Sequence, residues 1–385
     1  MSKIEWTERS WNPILGCSIV SPGCTNCYAM RTAHRLGRNP ATPDYDGLTR
    51  LVNGKPVWTG EMRLAAHDVL TAPLRRRTPT TWFVNSMSDL FAEGVQDAWL
   101  DQIFAVMALT PQHTYQVLTK RPERMRAYIN QAVGRIADGI IAMRRERGDT
   151  DMTVVPLAHI RPGHSWWPLP NVWLGVSTED QTRADERIPI LLDTPAAVRW
   201  ISAEPLLGAI DGRRWMPAKR KAFRPGGEEF LADHYYMTTC EHCGWTGSSE
   251  LCGFDSYGDD ADVICPACHR SIAGDDGGPS LDWVVAGGES GPGARPMHPD
   301  WARQLRDHCA AAGVPFFFKQ WGEWAPRDAW VPGPAIQRAI MRDGSPVPED
   351  AVPQDVGGWR FERVGKKAAD RHLDGVIHDA MPGRP

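Results

Sequence analysis

The sequence predicts an α/β protein, a complete or partial (βα) barrel of the TIM type with an inserted zinc-ribbon-like subdomain. Three observations predict it. Seven short apolar runs recur along the 385 residues, each giving way to polar residues. Helical patterns fall between several of these runs. A polar stretch between the fifth and sixth runs carries two Cys-x-x-Cys knuckles. Near-continuous apolar strands suit a parallel sheet covered on both faces. Strand–helix alternation suits a barrel whose functional groups gather at the C-terminal strand ends. An open doubly wound sheet is the alternative and would place ligands at the same ends.

The first run, Trp11 to Gly16, approaches a cysteine-rich loop, and a helix is expected from near Thr25. The second, Thr81 to Asn85, leads into Ser86-Met87-Ser88-Asp89, and a helical pattern covers Asp97 to Leu109. The third, Thr114 to Leu118, ends in Thr119-Lys120-Arg121-Pro122, where one long helix to Arg147 is expected. Residues 130–170 extend that helix and add a Pro/Trp-rich loop. The fourth run, Val172 to Val176, ends in Ser177-Thr178-Glu179-Asp180. A helix follows from Thr178 to Leu192, with a break expected at Pro189. The fifth, Val198 to Ile201, ends in Ser202-Ala203-Glu204-Pro205. The sixth, Leu281 to Val285, ends in Ala286-Gly287-Gly288-Glu289-Ser290, and a helix is expected over Pro299 to Ala312. The seventh, Pro315 to Phe318, ends in Lys319-Gln320-Trp321. The barrel is thus assigned to residues 1–211 and 281–324, the insertion to 212–280, and a C-terminal extension to 325–385.

Composition bounds the function. Net charge is −4 and 42% of residues are hydrophobic, so the average surface does not attract nucleic acid. Basic runs exist at Arg75-Arg76-Arg77, Arg144-Arg145 with Arg147, and Lys219-Arg220-Lys221 with Arg224. They read either as solvated faces or as nucleic-acid contacts. No stretch approaches a membrane span, and Met1 to Trp6 lacks the apolar core of a signal peptide. Nine cysteines without an export signal argue for metal ligands in a reducing compartment, so a cytoplasmic protein is expected.

Seven of those cysteines form two groups. Cys240, Cys243, Cys265 and Cys268 make two knuckles with 21 residues between them, close to zinc-ribbon spacing. Four thiolates suit a tetrahedral structural zinc. His242 and His269 are spare donors, while Cys252 is not expected to ligate. Cys17, Cys24 and Cys27 follow a C-x6-C-x2-C pattern on the expected rim, with Gly16 and Gly23 able to bend the backbone closely. Three thiolates can hold zinc with a borrowed fourth ligand. They can equally hold a [4Fe–4S] cluster with one iron open. Cys309, on an apolar helical face, is expected in the core.

The other strand-end residues offer polar chemistry. Glu204, Glu289 and Lys319 are the candidate catalytic groups, as amine ligands or acid/base residues. The alternative is that the carboxylates pair with Lys120, Arg121 or Lys319. Asn85, Ser86, Asp89, Lys120, Ser177, Gly287 and Gly288 are the candidate cofactor-binding residues. Asp89 and Asn85 could contact a ribose or a base edge, or instead cap a helix. Lys120 and Arg121 suit a carboxylate or phosphate, as do Lys319 and Gln320. Some of the 17 tryptophans could stack a nucleobase.

The segment Gly23-Cys24-Thr25-Asn26-Cys27-Tyr28-Ala29, on a loop after the first strand, resembles the cluster loop of radical S-adenosylmethionine enzymes, especially their spore photoproduct lyase-like branch. The first gap here is six residues where that superfamily usually has three. Asn26 stands where an aromatic is usual. Gly287-Gly288-Glu289 follows the sixth strand where the superfamily's Gly-Gly-Glu follows the second. A closer resemblance covers almost the whole chain. It is to a family of phage and bacterial proteins of unknown function that carries this three-cysteine motif. It rests on Trp11-Asn12-Pro13, Leu118-Thr119-Lys120-Arg121-Pro122, Ser202-Ala203-Glu204-Pro205-Leu206, Gly287-Gly288-Glu289-Ser290-Gly291 and Phe318-Lys319-Gln320-Trp321-Gly322.

The first resemblance implies a [4Fe–4S] cluster on Cys17, Cys24 and Cys27, with S-adenosylmethionine on its open iron. It further implies a 5′-deoxyadenosyl radical and an electron-donor protein. A nucleic acid or nucleobase is the favoured substrate. Two other classes stand beside this reading: a non-catalytic zinc protein that binds nucleic acid or protein, and a metal-dependent hydrolase or nuclease.

Overall fold

In a computed structural model of the chain, residues 4–149, 166–224, 228–256, 262–272, 278–327, 337–348 and 357–383 are described. The expected Pro/Trp-rich loop lies largely outside them, as do parts of the insertion and the extension.

Seven strands form one parallel sheet: β1 (Arg9–Trp11), β2 (Thr81–Val84), β3 (Thr114–Thr119), β4 (Val172–Ser177), β5 (Val198–Ala203), β6 (Trp283–Gly287) and β7 (Phe316–Gln320). Their order in the sheet is their order in the sequence. A doubly wound sheet reverses order at a switch point; this one never does, and that alternative falls. Among the described residues β1 and β7 do not pair, so the sheet is a partial barrel. Its concave face is packed with aromatics. Trp6 bridges the hollow, with ring centroids 4.6 Å from Phe83, 5.3 Å from Trp200 and 5.9 Å from Trp283. Every residue of β4 and β6 is buried, which is why these strands read as unbroken apolar runs.

The first strand is shorter than expected. It stops at Trp11, and Ile14–Leu15 turns away to pair antiparallel with Arg63–Leu64. Pro13 between them has no N–H to give a ladder.

Helices α1 (Tyr28–Gly37), α2 (Asp97–Ala108), α3 (Pro122–Gln131), α4 (Val133–Glu146), α5 (Gln181–Leu192) and α6 (Pro299–Ala312) cover the sheet. The helix expected from Thr25 starts three residues later, after a 3-10 turn over Pro22–Cys24. The single helix expected from Pro122 to Arg147 is two, split at Ala132. The split lets α3 pack on α5 while α4 turns to pack on α2. The expected break at Pro189 is absent: α5 runs through it. It starts at Gln181 because Asp180 caps it, accepting from the Arg183 N–H at 3.0 Å. α6 matches the expected bounds, with Pro299 in its first turn and Gly313 at φ +68° ending it.

No long helix joins β5 to β6 among the described residues. A 3-10 turn, Gly212–Trp215, stands there with Trp215 buried in the barrel core, and the insertion grows from it. Cys240, Cys265 and Ile272 form a small separate core in the insertion. The extension is not a loose tail. Trp324–Arg327, Trp359–Arg363 and Gln337–Ile340 form a three-stranded sheet, and Trp324, Phe361 and Leu373 join the main core. The Phe318 N–H donates to His378 O at 2.9 Å and Trp283 Nε1 to Ala380 O at 3.0 Å, so the extension covers the free edge of β7. Cys309 is buried in α6, as expected. No helix among the described residues is long and apolar enough to cross a membrane.

Candidate functional site

The C-terminal strand ends surround a cavity of about 580 Å³. Cys17, Cys24 and Cys27 line it, with Asn85, Ser86, Asp89, Lys120, Ser177, Glu204, Gly288, Glu289 and Lys319. Of the candidate rim residues only Gly287 does not. Trp6, Phe83 and Leu118 supply apolar wall. Ser177 and Ser202 face each other in register on β4 and β5, and both border the cavity.

The cysteine loop is held by ion pairs from three strand ends. After β3, Arg121 binds Asp89 at 2.8 Å, Glu93 at 2.9 Å and the Ser18 hydroxyl. Beyond β4, Glu179 has no exposed side-chain surface and accepts from Ser21 Oγ at 2.6 Å, from Arg187 at 3.0 Å and from Lys120. A Cβ at Gly23 would lie 2.6 Å from Glu179 Cγ, so only glycine lets the loop approach this carboxylate. Following β6, Glu289 binds Arg295 at 2.7 Å and accepts from Asn26 Nδ2 at 3.0 Å. Arg295 in turn donates to Pro22 O at 3.0 Å.

Burial decides the charge states. Burial opposes ionisation of Glu179, but Lys120, Arg187 and Ser21 outweigh it and hold the carboxyl below its ordinary value. Burial pushes the Cys17 thiol up to about 12, with Asp89 adding and Arg121 opposing. Cys27 is raised, again chiefly by burial. Tyr28 is raised to about 12 by burial, with Cys27 and Glu204 contributing. Thiolates at these positions therefore call for a cation beside them.

The candidate residues divide by what they hold. Asp89 accepts from Thr119 Oγ1 (2.6 Å), Arg121 (2.8 Å) and the N–H groups of Phe91 and Lys120 (both 3.0 Å), so it ties the β2 and β3 ends together. Ser86 binds Asn12 through its hydroxyl at 3.1 Å, and its carbonyl accepts from Tyr28. Asn85 sits at φ +58° and takes the Ile14 N–H on Oδ1, while its buried Nδ2 has no partner. Gly288 allows backbone contact: a Cβ there would lie 2.7 Å from Trp321 C. Glu204 pairs with Lys319 at 2.7 Å. The three cavity carboxylates are thus each paired with a cation, which disfavours a cluster of free carboxylates for a divalent ion. Glu179, Asn26 and Arg295 were not singled out from sequence. Glu179 carried a signal, since it follows a strand; the other two matter only once the fold brings the loops together.

The two cysteine groups differ in geometry. Cys240···Cys268 and Cys243···Cys265 sulfurs lie 3.6 and 3.7 Å apart, and all four fall within 4.8 Å of one another. Tetrahedral thiolates at ~2.3 Å from one ion would stand about 3.8 Å apart. This set could hold a metal ion. The knuckles repeat each other: Cys240 N–H donates to Trp245 O and Cys265 N–H to Arg270 O, with Gly244 (φ +73°) and His269 (φ +58°) at matching positions. Cys252 packs beside the four without joining them. Cys17, Cys24 and Cys27 do not all lie within 4.8 Å of one another. They border the strand-end cavity. Three thiols bordering one cavity suit either an iron–sulfur cluster with an open iron or a metal ion with a further ligand.

No curated protein and no solved structure matches the chain. Residues 1–382 match the family described as protein of unknown function (DUF5131), and the chain belongs to that family.

Proposed function

We propose that the cavity is the active site of a radical S-adenosylmethionine-type enzyme, with a [4Fe–4S] cluster on Cys17, Cys24 and Cys27. The observation that carries this reading is the contrast between the cysteine sets. The four in the insertion have the sulfur spacing of a single tetrahedral ion; the rim three are not drawn together in that way and border a strand-end cavity. The cluster would supply one electron, from a donor protein in a reducing cytoplasm, so that the S–C5′ bond of S-adenosylmethionine breaks to methionine and a 5′-deoxyadenosyl radical.

The chain's own residues do the rest. Asp89, Glu179 and Glu289, each with its cation, fix the loop so that the thiols face the cavity. Trp6, Phe83 and Leu118 keep water from the inner wall and offer a face to a planar ring. Ser177 and Ser202 present hydroxyls to the edge of such a ring. A nucleobase or nucleic acid is the proposed substrate on that ground. At Cys240, Cys243, Cys265 and Cys268 we propose structural zinc, which folds the insertion as a zinc-ribbon-like unit.

Anaerobic purification, reconstitution, iron and sulfide analysis, and EPR of the reduced protein test the reading. A reducible cluster is expected in the wild type and not in Cys17→Ala. A wild type that takes up zinc at both sites and shows no reducible cluster would overturn it in favour of a binding protein with two structural metals.

A further inference from the structure

A net charge of −4 hides an uneven distribution of cations. None of the contiguous basic runs borders the strand-end cavity, and much of their charge is spent locally. Lys219, Lys221 and Arg224 pair with Asp233 at 3.2 Å, Glu229 at 2.9 Å and Glu228 at 3.2 Å. Arg75 donates to Thr71 Oγ1 at 3.0 Å, and Arg144 is buried.

Helix α1 is different. Ala29, Met30 and Ala33 form its buried face. At about 3.6 residues per turn, Tyr28, Arg31, Arg35 and Arg38 fall together on the opposite face. Arg35 and Arg38 are exposed, and Arg31 is half-buried where the helix meets the segment after β6. There Arg31 Nη1 donates to Pro292 O at 3.3 Å, and a Cβ at Gly291 would lie 2.3 Å from its Nη2. Arg363 donates to Gly291 O at 3.4 Å, which adds a fourth guanidinium at the same turn. Among the described residues, no carboxylate lies within ion-pair distance of Arg31, Arg35 or Arg38. The stripe begins at the cavity, since Tyr28 lines it and donates to Ser86 O at 2.5 Å.

We infer that the outward face of α1 is a track for the phosphates of a single-stranded nucleic acid, with Tyr28 marking where one base turns from the track into the cavity. That the cavity receives a base rests on the function proposed above. Guanidinium forks match phosphate oxygens two at a time. Arg31 to Arg38 spans ~10 Å of helix, about three nucleotides at ~3.4 Å each along one strand. A base within a duplex is held in its stack, so a site recessed among strand ends takes one that is already free. A membrane surface would call for apolar side chains among the cations. The exposed apolar residues nearby, Leu51 and Val52, belong instead to the hairpin Thr49–Val52 and Lys55–Trp58. That hairpin packs on the other face of α1, where Trp58 joins Ala29, Met30 and Ala33. Contiguous runs are the usual sequence sign of a basic patch; these arginines stand three or four residues apart, and only the helix aligns them.

The test is fluorescence anisotropy of the full chain, before and after anaerobic reconstitution, with a labelled single-stranded oligonucleotide of mixed sequence. The competitors are its duplex, polyglutamate and phosphatidylserine vesicles. The wild type should bind the single strand, with log K falling against log salt at a slope of about −2 from the three arginines. Arg35→Gln/Arg38→Gln removes two exposed charges and should melt near the wild-type temperature. It should flatten the slope by about 1.4 and weaken binding about twentyfold at roughly 0.1 M salt. Arg35→Lys/Arg38→Lys keeps both charges and should keep the slope. Unchanged slope and affinity in the glutamine variant would overturn the track. So would stronger competition by duplex, polyglutamate or vesicles than by unlabelled single strand, or a wild type that binds no strand. Assay of the cluster on the same samples separates the two readings. Arginine-dependent strand binding without a reducible cluster keeps the track and removes the radical chemistry. A reducible cluster in a protein that binds no strand removes the track and leaves the radical chemistry to another substrate.

Discussion

Glu179 accepts from Ser21, Lys120 and Arg187 at once, under the glycine that brings the cysteine loop down to it. Replacing it with glutamine leaves the buried Arg187 and the part-buried Lys120 without their counter-charge. Glu179→Gln should therefore cost roughly 3–5 kcal/mol in denaturant unfolding. The pH dependence has a definite sign. The folded carboxyl titrates below its ordinary value, so its stabilisation is complete above roughly pH 4.3 and is lost as pH falls through the depressed value. Denaturation midpoints measured across the acid range should show this loss in the wild type and a flatter limb in Glu179→Gln. At this scale the sequence was half legible. The polar residues after each strand pointed to one mouth, and they line one cavity. Which of them hold the scaffold was not legible, because pairs such as Asn26 with Glu289 lie 263 residues apart and only the fold joins them.

Elements were legible where a single force sets them. The seven parallel strands announced themselves because burial on both faces demands apolar runs. α6 was read to the residue because proline opens it and glycine closes it. The stretch from Pro122 to Arg147 reads as one helix because its helical pattern is nearly continuous; what divides it is the need to cover two neighbours at once, α5 and α2. The insertion yields a prediction of its own. Its small core is centred on two of the four cysteines and is separate from the barrel core. Chelation should release the metal and open residues between Lys219 and Ile272 to proteolysis, while the barrel's thermal transition stays in place. Loss of the barrel transition together with the metal would show that the two are one cooperative unit.

At the largest scale, the sequential strand order and, among the described residues, the unpaired β1 and β7 make a barrel with one side open. The extension covers the β7 edge there, and Lys366 meets Glu5 across the gap. A chain cut after Gly375 would bare β7, whose residues 316–318 are all phenylalanine. Light scattering should then report self-association that the full chain does not show. Pro/Gly richness hid this role in the sequence, since Trp324, Phe361 and Leu373 are too widely spaced to form a periodic pattern.

The bracket between the cysteine loop and the segment after β6 also has a temporal meaning. Asn26 and Pro22 take partners 263 and 273 residues further along the chain. During synthesis the three thiols leave the ribosome long before Glu289 and Arg295 exist to hold their loop. Until they do, the loop lacks the contacts that tie it to the segment after β6.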